Sequence, residues 1–595
     1  MYRLCCALLL LLASCAPQGL TPQQEADEFL EAYDSISARL YTVTAEAYWR
    51  AATDVTDSHV GERIGAEAAL ATFAGNPYVI KKARGLLEHS DQLNELTRRQ
   101  LDKILLAASE YPGTVPDLVQ SRVEQEAKQS AILDSFEFCE DRSGETCRKA
   151  VTPNQIDNVL LESRSDSERR KTWEVSKQSG PALKSGLIEL RHLRNELARE
   201  MGYSSFFALQ VADYGMTVDE MSAMMESFIE DLKPLYSQLH TWTKHELAGR
   251  YRLPVPKKIP AHWIGNRWAQ AWPGLTSAVD LDKVVDGQTP EWIVEQGERF
   301  YTSLGMPELP ESFWENSDLY QLPAGSTRSK NTHASAWHID LESDVRSLMS
   351  VEPNFRWFQT SHHELGHIYY YMAYSQPEVP LSLREGTNRA FHEAVGDLIG
   401  IAARQPAYLK EIGLLDKDAE IDQVAWLLDE ALDQAVVFIP FAAGTMTLWE
   451  RDLYENDLSP DEFNSRWWEY AGKYQGIEPP SARREEFCDA CTKTHISDDP
   501  AQYYDYAMAF VIKYQLHNYI AKNILKQDPR DCNYFGNEEV GKFLWELLSL
   551  GAMRDWREVI LEKTGEEVST RAMLEYFSPL IAYLEKENEG RDSSW

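Results

Sequence analysis

The chain has 595 residues, with 59 Lys and Arg against 94 Asp and Glu, and a formal net charge of −35. Such an acidic balance argues against nucleic acid and against an anionic membrane surface as partners, and serves solubility, above all in a salty habitat. No Gly/Ser-rich or Pro-rich linker of useful length interrupts the chain and no repeat of fixed period runs through it, so one large unit is expected and a solenoid is not.

The N-terminus carries an address. Met1-Tyr2-Arg3 supplies a positive charge, Leu4 to Leu12 is apolar, and Leu12-Ala13-Ser14-Cys15 reads as a bacterial lipoprotein cleavage box. The expected organisation is a lipoprotein signal peptide over 1–14, a tether over 15–24 beginning at a lipid-bearing Cys15, and a main domain over 25–590. A plain signal peptide is the alternative. Both place the protein outside the cytoplasm, as a cell-envelope lipoprotein or in the periplasm, and Ala16 after the cysteine favours the outer membrane. The apolar run is too short to span a bilayer, and no later stretch approaches the roughly 20 residues required.

Export permits disulfides. Cys139 and Cys147 flank an acidic loop containing glycine and are expected to pair, as are Cys488 and Cys491, which leaves Cys532 single. Neither a zinc knuckle nor a thioredoxin-like context surrounds the Cys-x-x-Cys pair. Helical periodicity dominates, for example over Val218 to Tyr251 and Glu291 to Leu304, and alternating strand patterns are few and short.

The run Ser361-His362-His363-Glu364-Leu365-Gly366-His367 lies within a helical pattern from Trp357 to Tyr374. There His363 and His367 stand one turn apart on one face, where both can reach a zinc ion. Glu364 is off that line, free to take a proton from an activated water. A second helical segment, Arg389 to Ala403, places Glu393 and Asp397 four apart. Glu393 is the choice for third ligand. Glu385 competes, but it stands in the connection Leu383-Arg384-Glu385-Gly386, where a ligand is held less firmly. Asp397 suits the role of an acceptor that orients a ligand histidine through its other ring nitrogen.

With these motifs in place, the chain resembles the angiotensin-converting enzyme family, the zinc peptidyl-dipeptidases, over most of its length. The resemblance runs from Glu25-Ala26-Asp27-Glu28-Phe29-Leu30 and Ala47-Tyr48-Trp49 to the C-terminal helices. It implies a mainly α fold, a single helical catalytic domain split by a deep channel, with a few short strands at the cleft and N-terminal helices up to about Tyr111 as a lid. His363, His367 and Glu393 become the ligands of Zn2+, and Glu364 the general base. His333-Ala334-Ser335-Ala336-Trp337 is similar to a family strand at the cleft edge, where His333 and Ala334 would hold an extended peptide. Lys493-Thr494-His495 and Tyr503-Tyr504-Asp505-Tyr506 resemble the second substrate-binding cluster. His495 and Tyr506 can donate to a tetrahedral oxyanion. Lys493, Tyr503 and Gln270, the last within Trp268-Ala269-Gln270-Ala271-Trp272, would grip the free C-terminal carboxylate of an oligopeptide.

In the resemblance, glutamine at position 270 favours release of dipeptides; an arginine in its place marks a carboxypeptidase of the family that removes single residues, the alternative activity. Asp505 stands where chloride-activated members have arginine, and Ala471 aligns with a second such arginine, so no chloride requirement is expected. Two rivals of other classes are a silent binding protein on the same scaffold, which an intact zinc motif opposes, and a structural envelope lipoprotein, which zinc content would separate from the enzyme.

Overall fold

The computed structural model describes residues 20–144, 146–276 and 281–595. The signal segment over 1–14, Cys15 and the start of the tether lie outside the described residues. The rest is mainly helical, with a few short strands.

The first helix, Pro22–Thr53, begins at a capping box in which the Thr21 hydroxyl accepts from Gln24 N–H and the Gln24 side chain accepts from Thr21 N–H. Helices Asp57–Ala74, Pro77–Leu87 and Glu95–Ser109 follow at short intervals. This N-terminal group has a small core of its own, in which Phe29, Leu30, Tyr33, Val79, Leu86, Leu101 and Ile104 pack together. It is tied to the body by polar bonds as well as by Trp49, whose ring meets Trp337 edge-on at 5.4 Å. Tyr41 Oη donates to the His338 carbonyl at 3.0 Å, Arg346 pairs with Glu46 at 2.7 Å, and Lys103 pairs with both Asp213 and Glu385.

The body is organised around one continuous hydrophobic cluster running from Phe138 to Leu584. Helix Val218–Tyr251 occupies the span its periodicity predicts and continues through Pro234. The helix expected over Glu291 to Leu304 is Pro290–Ser303, capped by Thr289. Three short strands form a sheet in which Val345–Val351 is central, paired antiparallel to Ser335–His338 and parallel to Asp318–Tyr320. Ser335–His338 is therefore an edge strand beside the cleft.

Strands Phe138–Ser143 and Thr146–Val151 form a hairpin that the Cys139–Cys147 disulfide closes. On the chain-entropy account a loop of this size contributes about 2.5 kcal/mol. Cys488 and Cys491 are also bridged, and Cys532 is a buried free thiol. Among the described residues no helix is long and apolar enough to cross a membrane.

Candidate functional site

Two helices build the centre. Phe355–Tyr374 starts at Asn354, whose side chain accepts from Trp357 N–H, and Arg389–Arg404 starts at Asn388, which accepts from Phe391 N–H. They cross with almost nothing between them. A Cβ on Gly366 would lie 3.1 Å from Gly396 Cα, and a Cβ on Gly396 would lie 2.8 Å from the His363 ring. Gly366 thus lets the backbones approach and Gly396 leaves the imidazole its place, a requirement of the helix pair that neither helix shows alone.

At this crossing His363, His367 and Glu393 bring ligand atoms within 4.8 Å of one another, the one such group of at least three His, Cys, Asp or Glu among the described residues. His363 Nε2 is 3.0 Å from His367 Nε2 and 3.9 Å from Glu393 Oε2. The far nitrogens orient the two rings. Asp397 Oδ1 lies 3.2 Å from His363 Nδ1, so that nitrogen donates to the carboxylate and Nε2 is the one turned towards the ligand group. His367 Nδ1 is 2.7 Å from His392 Nδ1, a hydrogen bond between the two rings that leaves His367 Nε2 facing His363. His363 Nε2 and His367 Nε2 face each other across 3.0 Å beside a carboxylate, a spacing that a shared proton or a metal ion can bridge. The donor set of two imidazoles and one carboxylate suits zinc.

The charges agree. Burial alone would lower the pKa of His363, but the bond to Asp397 and the nearby Glu364 and Glu393 carboxylates push it up to about 9. Glu364 and Glu393 are themselves raised, chiefly by burial. The pocket is therefore short of positive charge. Asp397, although half-buried, is held below the usual carboxylate range by Lys513, which donates to Oδ2 at 3.0 Å, and by His363. Glu385, the competing carboxylate, is taken up by Lys103 of the N-terminal helices.

A cavity of about 530 Å³ opens on this centre, lined by His333, Ala334, Glu364, Arg389 and Glu393 among others. His333 and Ala334 precede the edge strand, which begins only at Ser335, and the His333 ring sits 2.8 Å from the Ala334 carbonyl.

The second cluster is assembled from distant segments. Lys493 Nζ donates to Gln270 Oε1 at 2.8 Å and Tyr503 Oη to the same oxygen at 3.4 Å. Lys493 also lies over the Trp268 ring at 4.6 Å. Burial, with Arg267 adding to it, pushes the Lys493 ammonium down to about 7. The His495 ring is 5.2 Å from Tyr503 and 6.2 Å from Tyr506, and burial together with Lys493 pushes it down to about 4, so it is neutral at pH 7.

Asp505 is fully buried and accepts from Tyr214 Oη at 2.6 Å; burial raises its carboxyl to about 8, against the pull of Arg389. Ala471 is buried at the end of helix Phe463–Tyr470. Sequence reasoning missed Gly366, Gly396, His392, Lys513 and Arg389. For Arg389 one signal existed, because a cation in the first turn of a helix opposes the helix dipole and needs a compensating reason.

Compared with known proteins, residues 20–595 match the family described as Angiotensin-converting enzyme. The chain is similar to the angiotensin-converting enzyme of Theromyzon tessulatum, 28% identical over 613 residues that cover 97% of this chain and 96% of that one. For the enzyme of Haematobia irritans exigua the values are 29% over 594 residues, 94% and 93%. For that of Mus musculus they are 31% over 597 residues, 96% and 44%.

Proposed function

The chain belongs to the angiotensin-converting enzyme family of zinc metallopeptidases, and on that premise we propose how its own residues release dipeptides from the free C-terminus of oligopeptides. His363, His367 and Glu393 hold the zinc ion, with Asp397 orienting His363. When bound there, zinc supplies Lewis acidity towards a water molecule and the scissile carbonyl.

Glu364, buried beside the ligands and raised by that burial, takes the proton of the attacking water and returns it to the leaving amine. His495 and Tyr506 donate to the oxyanion that develops on the carbonyl. His333 and Ala334, at the approach to an edge strand, hold the peptide main chain in register. Lys493, Tyr503 and the amide of Gln270 receive the terminal carboxylate.

The observation that carries the dipeptide reading is the convergence of Lys493 and Tyr503 on Gln270, a neutral and cationic anchor remote in sequence from the metal ligands. A blocked tripeptide with a free or an amidated C-terminus tests it, with products identified by mass. The free acid should yield a dipeptide and the amide should resist. Release of a single residue would replace the reading by carboxypeptidase action, and ready cleavage of the amide would replace it by endopeptidase action.

Two further parts of the proposal concern setting and control. Cys15 carries a lipid that anchors the enzyme to the envelope; palmitate labelling lost in Cys15→Ser supports this, and labelling that persists removes it. Activity does not require chloride, because neither the buried carboxyl of Asp505, raised to about 8, nor the methyl group of Ala471 offers an anion a positive charge. Adding chloride at constant ionic strength should change kcat/KM by less than about twofold, and a large rise would overturn this.

A further inference from the structure

Tyr506 needs a reason to aim its proton into the cavity, and the structure contains one. Arg389 is the first residue of the helix whose next turn carries Glu393. Its Nη2 donates to Tyr506 Oη at 3.0 Å, its Nη1 to Asp499 Oδ1 at 2.7 Å, and its Nε lies 3.8 Å from Asp505 Oδ2. The guanidinium also stands over the Tyr506 ring at 5.4 Å. Asp499 holds it by a hydrogen bond, and Asp505, whose Oδ2 makes no hydrogen bond, by charge alone. Tyr214 Oη donates to Asp505 and accepts from the Ala390 N–H at 3.1 Å, which ties Asp505 to the helix of the ligand Glu393.

A guanidinium has donors and no acceptor. Tyr506 Oη must therefore accept from Arg389, and its own hydrogen cannot point back along that bond. The hydrogen is left the side of the phenol away from the guanidinium; Arg389 itself lines the cavity of the metal ligands, and the Glu393 carboxylate is close enough for its charge to be felt at Tyr506. A cation on the phenol oxygen also draws charge from the O–H and strengthens it as a donor. We propose that Arg389 is a positioning residue for the hydrolytic reaction, which orients and polarises the Tyr506 hydroxyl towards the oxyanion, while Asp499 and Asp505 hold the guanidinium in place. This rests on the reading of Tyr506 as an oxyanion donor. The bland alternative is that Arg389 only neutralises two carboxylates.

A double-mutant cycle separates the two. Arg389→Ala should lower kcat by about 10- to 100-fold, less than the roughly 100- to 1000-fold of an oxyanion donor lost outright, with KM within about threefold and zinc content unchanged. In a Tyr506→Phe background the same substitution should cost less than about threefold, because the group it serves is gone. A phosphinic tripeptide, whose tetrahedral centre carries the oxyanion, should lose affinity by the same factor in calorimetry, while the Kd of a product dipeptide should not move. Arg389→Lys, which keeps a charged donor, should restore most of kcat. Equal losses in both backgrounds, or normal kcat in Arg389→Ala, would overturn the proposal. If Arg389→Ala does not fold, the cycle run with Arg389→Lys and Arg389→Gln decides by the same criterion. Should the tripeptide be cut at another bond, the dipeptide reading fails while the coupling between Arg389 and Tyr506 is still measured on the bond that is cut.

Discussion

The wall that carries the candidate metal ligands and the wall proposed to anchor the substrate carboxylate are built in opposite ways. The first comes from two helices adjacent in sequence, Phe355–Tyr374 and Arg389–Arg404, and its spacing follows from helical geometry plus two glycines at the crossing. The second joins Gln270 in a loop to Lys493, His495, Tyr503 and Tyr506 more than 200 positions later, and its spacing follows from the packing of the whole body. The metal wall can therefore be damaged locally, through one side chain at a time. The anchor wall trades precision against long-range packing, and Lys493 and Tyr503 share a single acceptor to keep it.

The comparison can be broken in order of effect. Glu364→Gln should lower kcat by about a thousandfold or more, at the upper end for a lost general base, while zinc stays bound in equal amount. Retention of a tenth of normal turnover with full zinc would remove Glu364 from its role. Asp397→Asn takes the charge from the group that orients His363, and zinc affinity measured against a competing chelator should fall by about 10- to 100-fold. An unchanged affinity would show that helix geometry alone sets the ligand.

On the anchor wall the signature changes from kcat and zinc to KM. Lys493→Ala should raise KM by roughly 30-fold, about 2 kcal/mol for a lost charged hydrogen bond, with zinc content intact. Its pH dependence has a definite sign. Burial lowers the Lys493 pKa to about 7, so the ammonium is present below that pH and is lost as pH rises through it. Product dipeptide should therefore bind more weakly at pH 9 than at pH 6, and Lys493→Ala should flatten that profile; a profile of equal slope in the variant would assign the titration elsewhere. Tyr503→Phe, which removes a longer bond of 3.4 Å, should cost only about fivefold in KM, near 1 kcal/mol. A larger loss would mean that Tyr503 and not Lys493 is the principal anchor.

The motif helix and the helix of Glu393 were legible because both patterns are local. A spacing of four on a helix fixes a common face, and the helices lie within two residues of their expected limits. The anchor residues became legible only through family resemblance, since nothing in the runs at Gln270 and Lys493 states that they meet. The strand expected from His333 begins at Ser335, because ladder pairing with Val345–Val351 starts there.

The sequence by itself determined a helical enzyme with two histidines and a glutamate placed for a metal, because periodicity and short connections act over a few residues. Only the tertiary structure decided which histidine nitrogens face one another, that Glu385 is taken up by Lys103, and that Arg389 of the ligand helix reaches Tyr506. Those facts depend on side chains that meet across the fold, and a contact between distant positions leaves no period in the chain.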